Sequence, residues 1–214
     1  MERHWEIVDK QIALIQKEND IYSIVLMGSV AYEKATAESD IDILVICNKD
    51  EFQSKWLDGI FVEIHYCKYS TLKKRLKSTP AEVYKYLYSK IICDDGKFKR
   101  LMNLAEDIYN NYQTPAKEKE SIKYWLSSTK LKLLSAINSG DVLKASYLIS
   151  TNTWKVLEGV WAMNDKPMPP SSIAFHFYNK LVFNIENWFD SLMIGEPLAR
   201  AKVMVKIIDS ICNA

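Results

Sequence analysis

The sequence predicts a protein of two parts, an α/β domain whose mixed sheet of about four strands is flanked by helices, followed by an all-α helical bundle. Short runs of β-branched and aliphatic residues, which are typical of strands, all lie before Thr114-Pro115. After this dipeptide, which cannot continue a helix, only amphipathic helical periodicity remains. We therefore expect domains at residues 1–113 and 114–214.

Composition limits the partners of the protein. With 28 basic and 27 acidic residues the net charge is +1, which gives no long-range attraction for a polynucleotide. This argues against template-bound or tail-adding enzymes, so no nucleic acid partner is expected. No apolar run approaches the ~20 residues that span a bilayer, and the first residues lack the layout of a secretory signal. We expect a cytoplasmic protein without a membrane partner, whose four cysteines are reduced and bind no zinc.

The chain begins with an amphipathic helix over residues 4–18, followed by two strands that carry the chemistry. The first strand, residues 22–27, ends at Gly28, and the second covers residues 41–47. A glycine at this place lets backbone N–H groups come close to a phosphate, and the hydroxyl of Ser29 adds a donor. The sequence therefore predicts an anion-binding turn between the two strands.

Two carboxylates mark the start of the second strand. Asp40 and Asp42 are two residues apart, so in a strand both side chains leave the same face. Because adjacent carboxylates repel each other, such a pair at the start of an apolar strand usually has a cation between its members. Mg²⁺, a hard cation that prefers oxygen ligands, is the natural candidate.

A third strand is predicted over residues 60–66, after the Asp58-Gly59 turn. Its apolar face must meet the helices, so the other face, with Phe61, Glu63 and His65, is expected to look toward the active-site cleft. For His65 we expect a hydrogen-bonded structural role, with contact to a phosphate or substrate as the alternative. Residues 48–58 read as a polar connection.

The first domain is predicted to close with helices and a fourth strand. The predicted helices cover residues 69–78, 79–88, which begins with a capping box at Thr79, and 97–110; the strand covers residues 90–93. The basic face of the first of these helices is expected to be solvated, with phosphate attraction as the alternative.

The second domain is predicted as four helices with short loops, an up-and-down bundle. The helices cover residues 117–139, residues 141–163, a segment from Ser171 that includes Trp188, and residues 197–212. The large aromatic residues of this domain are expected in the bundle core. For rings that face a cleft, stacking on the ring of a bound ligand is the alternative.

Taken together, Gly28-Ser29, a spacer of ten residues, Asp40-Ile41-Asp42 and then Glu63 resemble the signature of the DNA polymerase β-like nucleotidyltransferase superfamily. The helical second domain is similar to that of bacterial antibiotic nucleotidyltransferases, which modify aminoglycosides or lincosamides. The resemblance implies that Asp40, Asp42 and Glu63 are catalytic and bind Mg²⁺, two ions in the usual mechanism. It also implies that Gly28, Ser29 and Ser39 serve the nucleotide, with Ser39 orienting the aspartates. One departure is Glu33, where many relatives have glycine or a small residue.

The implied activity is transfer of AMP from ATP, or of another nucleoside monophosphate, to a hydroxyl of a small-molecule acceptor, with release of pyrophosphate. Two other functions stay open, an adenylyltransferase that modifies a protein partner, as antitoxins do, and a regulatory protein that only binds nucleotide. Glu63 is predicted to be either a metal ligand or a general base. If it is a metal ligand, another carboxylate, such as Glu158, would accept the proton of the acceptor hydroxyl. A homodimer is also left open.

Overall fold

The computed structural model describes residues 2–213 of the chain. The chain divides into two compact units, the first ending at Asn111 and the second beginning at Tyr112. Each unit is described separately below.

Unit 1 is a five-stranded sheet with helices. Its elements in chain order are α1 (Glu2–Ile15), β1 (Ser23–Met27), α2 (Gly28–Ala31), β2 (Ile41–Ile46), β3 (Glu51–Leu57), β4 (Ile60–Cys67), α3 (Tyr69–Ser78), α4 (Val83–Leu87), β5 (Lys90–Asp94) and α5 (Lys97–Asn111). A 3-10 turn, Pro80–Glu82, connects α3 to α4. Thr79 makes no side-chain capping bond at this turn, so the predicted capping box is wrong. The expected α/β class is confirmed.

The sheet has the strand order β3-β4-β2-β1-β5 and is mixed. β2 and β4 run parallel, whereas the pairs β1 with β2, β1 with β5, and β3 with β4 are antiparallel. The prediction of about four strands, with residues 48–58 as a polar connection, missed β3. β3 is an edge strand rich in charged and polar side chains, which is how natural sheets protect an open edge.

The two faces of the sheet differ in character. One face is apolar, with Ile43 of β2 and Ile64 of β4 in the same buried cluster as Ile7 and Val8 of α1. The alternation of side chains along β2 and β4 places Asp42, Glu63 and His65 on the opposite face. The predicted assignment of faces on the third strand is therefore correct, and α1 covers the side away from the acids.

Two of the turns in unit 1 that have left-handed backbone bear on the sequence predictions. Asp58 and Gly59, between β3 and β4, have φ values of 49° and 77°, the signature of a type I′ hairpin turn. Glu33, in the connection after α2, has φ 62°. Glycine would adopt this conformation without steric cost.

Unit 2 is helical, as predicted, but it is not four equal helices. Its elements are α6 (Ala116–Ser139), α7 (Val142–Met163), α8 (Ser171–Phe177), α9 (Trp188–Met193) and α10 (Pro197–Asn213). The three long helices α6, α7 and α10 pack on one another around a shared apolar core. The third predicted helix is broken after Phe177 by a 3-10 turn and a loop that reaches Asn187, whose φ is 50°. The prediction of a single third helix was therefore wrong, whereas the helical character of the second domain is confirmed.

The aromatic residues of unit 2 divide between core and surface. Trp161 and Trp188 are buried, as expected, whereas Tyr147 and Trp154 of α7 are exposed and Trp125 of α6 is also exposed. Within residues 2–213, no helix combines the length and apolar character needed to cross a membrane.

Candidate active site

The structure brings Asp42 and Glu63 together through strand pairing. In the parallel ladder of β2 and β4, Asp42 is the direct partner of Glu63, and both side chains are half-buried. His65 follows on the same face of β4, with its Nε2 3.9 Å from Oε2 of Glu63. One ligand atom each from Asp42, Glu63 and His65 lie within 4.8 Å of one another. Three ligands around one cation have about this spacing, because each bond to the ion is ~2.0–2.6 Å long.

Gly28 lies directly against Asp42. Met27, the last residue of β1, pairs with Asp42, so the chain turns into α2 beside this carboxylate. Gly28 has φ +65°, and a Cβ at this position would be 2.3 Å from Oδ2 of Asp42. Only glycine fits both the backbone conformation and the contact. The predicted glycine turn and the predicted aspartate therefore form one tightly packed feature.

The electrostatics of the site favour a cation. Burial, and then the negative charges of Asp40 and Glu63, raise the pKa of Asp42 to about 7, and the charge of Lys85 opposes this shift. Burial lowers the pKa of His65, which favours the neutral imidazole that a metal requires. The two carboxylates are oxygen ligands of the kind that Mg²⁺ prefers, whereas an imidazole is a ligand more typical of transition metals. Asp42 and Glu63 therefore fit the Mg²⁺ that the sequence implies.

Asp40 and Ser39 are placed differently from Asp42. Asp40 precedes β2 and is exposed; its charge acts on Asp42, but within residues 2–213 it is outside the group of three close ligand atoms. The hydroxyl of Ser39 accepts a hydrogen bond of 2.8 Å from the backbone N–H of Thr36. Ser39 therefore closes the turn that leads into Asp40, while its role toward a nucleotide stays a prediction.

Two further residues near the site were missed by the sequence analysis. His4 of α1 is buried, and its Nε2 donates a hydrogen bond of 2.9 Å to the carbonyl of Ser39. Its Nδ1 is buried and finds no hydrogen-bond partner among residues 2–213. Lys85 of α4 forms an ion pair of 2.8 Å with Glu82, and its positive charge acts to lower the pKa of Asp42. Neither has a local sequence signal, since each is one polar residue in a helical pattern.

Glu158, the candidate for a second proton acceptor, lies on α7 and forms an ion pair with Lys155 one turn before it. This pair is internal to unit 2. A role of Glu158 in proton transfer stays a prediction.

No curated protein matches the chain. Among solved structures, a nucleotidyltransferase-like protein from Exiguobacterium sibiricum 255-15 is similar, with 11% identity and a TM-score of 0.44 over 94% of this chain and 71% of that one. The family model described as nucleotidyltransferase domain matches residues 8–131, more than half of the chain, and confirms the predicted enzyme class. The chain thus belongs to the nucleotidyltransferase domain family.

Proposed function

We propose that the protein transfers a nucleoside monophosphate, AMP from ATP, to a hydroxyl group of a small-molecule acceptor in a Mg²⁺-dependent reaction. The observation that carries this proposal is the register of β2 and β4, which sets Asp42 beside Glu63. The raised pKa of Asp42 supports it, because crowded carboxylates are stabilised as anions when a divalent cation lies between them. Membership of the family supports the reaction class.

In this reaction Asp40, Asp42 and Glu63 would hold the metal, two ions being the usual number. Bound Mg²⁺ supplies charge neutralisation on the phosphates and makes the attacking hydroxyl more acidic. Gly28 and Ser29 would bind the triphosphate through backbone N–H groups and a hydroxyl, since Gly28 lies directly against Asp42. Lys85 would add a positive charge for the phosphates.

The acceptor is assigned by analogy with the antibiotic-modifying enzymes, so aminoglycoside- or lincosamide-like compounds are the first candidates. We propose that unit 2 is needed for turnover of the acceptor and that the enzyme works in the cytoplasm. A protein partner as acceptor, or nucleotide binding without transfer, are the alternative functions. A screen of pyrophosphate release from ATP and GTP, with aminoglycosides, lincosamides, other polyols and lysate proteins as acceptors, separates these functions.

Calorimetry with ATP tests the metal-dependent site. We expect ATP to bind in the presence of Mg²⁺, and Asp42→Asn to abolish the metal-dependent part of the binding, since an amide lacks the charge that holds the cation. The matched control is Asp9→Asn, which removes an exposed carboxylate from α1. Equal Mg²⁺-dependent binding by the wild type and Asp42→Asn would refute the site assignment.

Glu63→Gln distinguishes the two roles of Glu63. We favour the role of metal ligand, because strand pairing supports a position beside Asp42. As a ligand, Glu63 is needed for metal affinity, so the variant should require more Mg²⁺ for half-maximal activity. A fall in turnover of ~100-fold or more at an unchanged Mg²⁺ requirement would instead identify Glu63 as the general base.

A further inference from the structure

The edge strand β3 places aromatic side chains on the face that carries the acids. Direct cross-strand partners point to the same side of a sheet, and β3 pairs Phe52 with His65, Ser54 with Glu63 and Trp56 with Phe61. The ring centroids of Phe52 and His65 are 4.7 Å apart, and those of Trp56 and Phe61 are 5.2 Å apart. We call Phe52, Trp56 and Phe61 the aromatic row.

Two rings of the aromatic row are exposed and Phe61 is half-buried, so core packing does not explain the row. Phe52 is 53% and Trp56 70% accessible to solvent. The alternate side chains of β3, including Gln53 and Lys55, point to the face that α1 covers, where they pair with Ile64 and Val62. A half-buried strand normally turns its apolar side chains to the covered face and its polar ones to water. Apart from Leu57, which packs against the core, β3 does the reverse. Rings held on an open face next to a polar site are typical of a binding surface.

The position of the row in the sheet indicates which substrate it would meet. The strand order places Gly28 and Ser29, at the end of β1, on one side of Asp42 and Glu63, and the aromatic row on the other side. In the proposed function, on which this inference rests, the leaving pyrophosphate lies at Gly28 and Ser29. An in-line displacement requires the attacking group opposite the leaving group. The acceptor therefore approaches from the side of β4 and β3.

We propose that the aromatic row is the acceptor subsite and that it takes a hydroxylated ring compound, a sugar or an aminocyclitol, whose C–H face stacks on Trp56 and Phe61. Residues 52 to 56 span about 13 Å along the strand, enough for more than one ring. Amino groups of such a compound gain from cation–π contact with the rings. Ser54, small and directly opposite Glu63, leaves room for the reacting hydroxyl.

The reaction at this subsite forms one bond and breaks one. The acceptor oxygen bonds to the α-phosphorus of ATP. The bond that breaks joins this phosphorus to the oxygen that bridges the α- and β-phosphates. Pyrophosphate leaves with the electron pair of that bond. The proton of the hydroxyl passes to a carboxylate or to solvent, and no oxidant or reductant is needed.

The test is a set of substitutions on β3 in the full-length protein, with kanamycin and lincomycin as probes and Mg²⁺ with a non-hydrolysable ATP analogue present. Trp56→Ala should weaken binding of at least one probe by about ten-fold or more, and Trp56→Phe should restore most of it, because a ring face is retained. Lys55→Ala, on the opposite face of the same strand, is the matched control and should bind the probe as the wild type does. The dissociation constant of the ATP analogue should stay the same in all three variants.

Four results would overturn the proposal. The first is that neither probe binds the wild type. The second is that Lys55→Ala weakens binding of the probe as much as Trp56→Ala does. The third is that Trp56→Ala weakens the ATP analogue instead of the probe, which would assign the row to the base of the nucleotide. The fourth is that sedimentation shows a dimer for the wild type and a monomer for Trp56→Ala while binding of the probe is unchanged. This result would assign the aromatic row to self-association. Failure of the proposed function is separate, since it appears as Mg²⁺-dependent ATP binding that Asp42→Asn leaves intact.

Discussion

Gly28 and Asp42 approach each other so closely that the identity of one residue controls the position of the other. A methyl group at residue 28 would need to occupy the place of Oδ2 of Asp42, since the distance would be 2.3 Å. Asp42 is itself packed between Met27 of β1 and Glu63 of β4, so it has little room to move away. The carboxylate is thus held in one orientation by backbone on one side and by a second acid on the other.

Gly28→Ala should therefore abolish Mg²⁺-dependent ATP binding, because Asp42 or the turn must shift. The φ of +65° adds a backbone cost of ~1–2 kcal/mol for any L-residue. Gly96→Ala is the matched control, since Gly96 has φ +97° but no atom within 4 Å of the added methyl. Both variants should lose stability in thermal unfolding, and calorimetry should show loss of ATP binding only for Gly28→Ala. Normal ATP binding by Gly28→Ala would contradict the close packing.

The resemblance to the nucleotidyltransferase superfamily indicated Asp42 and Glu63, and the period of a strand correctly placed both side chains on the site face of the sheet. Sequence reasoning did not foresee that Asp40, only two residues earlier, is exposed and outside the close group. Asp40 precedes the first residue of β2, so the strand period does not fix its side chain. Residue spacing predicts geometry only where regular structure continues.

At the scale of elements, α1 has two contacts with consequences for the site. It covers the apolar face of the sheet through Ile7 and Val8, and it reaches the loop before Asp40 through the hydrogen bond from His4 to the carbonyl of Ser39. This bond joins the helix to the residue that immediately precedes Asp40. The N-terminal helix therefore helps to position one of the predicted metal ligands.

His4→Leu removes this donor and should raise the Mg²⁺ concentration needed for half-maximal ATP binding about ten-fold, because the loop that carries Asp40 loses an anchor. His4→Gln, which keeps an N–H donor, should bind Mg²⁺ more nearly like the wild type. Gln11→Leu replaces another buried polar residue of α1 and serves as the control. An equal effect of His4→Leu and Gln11→Leu would show that His4 acts only through the stability of the helix.

Two elements were not predicted correctly, for different physical reasons. β3 has polar residues on its covered side and aromatic residues on its open side, so its alternation does not indicate a half-buried strand. The segment after Ser171 has apolar residues at roughly helical spacing, but Asn187 adopts a left-handed conformation and the chain restarts as α9. Spacing of apolar residues cannot show where tertiary packing breaks a helix.

At the scale of the whole molecule, each unit has its own apolar core, one built on the sheet and α1 and one on the three long helices. The family match ends at residue 131, within α6, so it continues past the first unit. Truncation tests the predicted boundary at residue 113. It also tests whether unit 1 alone binds ATP and whether unit 2 is needed for turnover.

A fragment of residues 1–113 should keep its Mg²⁺-dependent affinity for ATP within about three-fold, because Gly28, Asp42 and Glu63 all belong to unit 1. It should lose acceptor turnover, since we expect unit 2 to be needed for the transfer step. Calorimetry and pyrophosphate release measure the two properties. A fragment of residues 1–139, which contains all of α6, is the comparison. If only the longer fragment binds ATP, the nucleotide site depends on α6 and the predicted boundary is wrong.

The type I′ turn at Asp58-Gly59 also has a consequence for the kinetics of folding. In the sheet, β2 pairs with β4 and not with β3, although β3 follows β2 directly in the sequence. During folding, β3 could therefore compete with β4 for pairing with β2. A hairpin with a favourable two-residue turn forms within ~1–10 μs, faster than strands distant in sequence can pair. We therefore expect β3 and β4 to pair first and to reach β2 as a preformed hairpin. Such a hairpin would favour the register in which Glu63 meets Asp42 over pairing of β3 with β2.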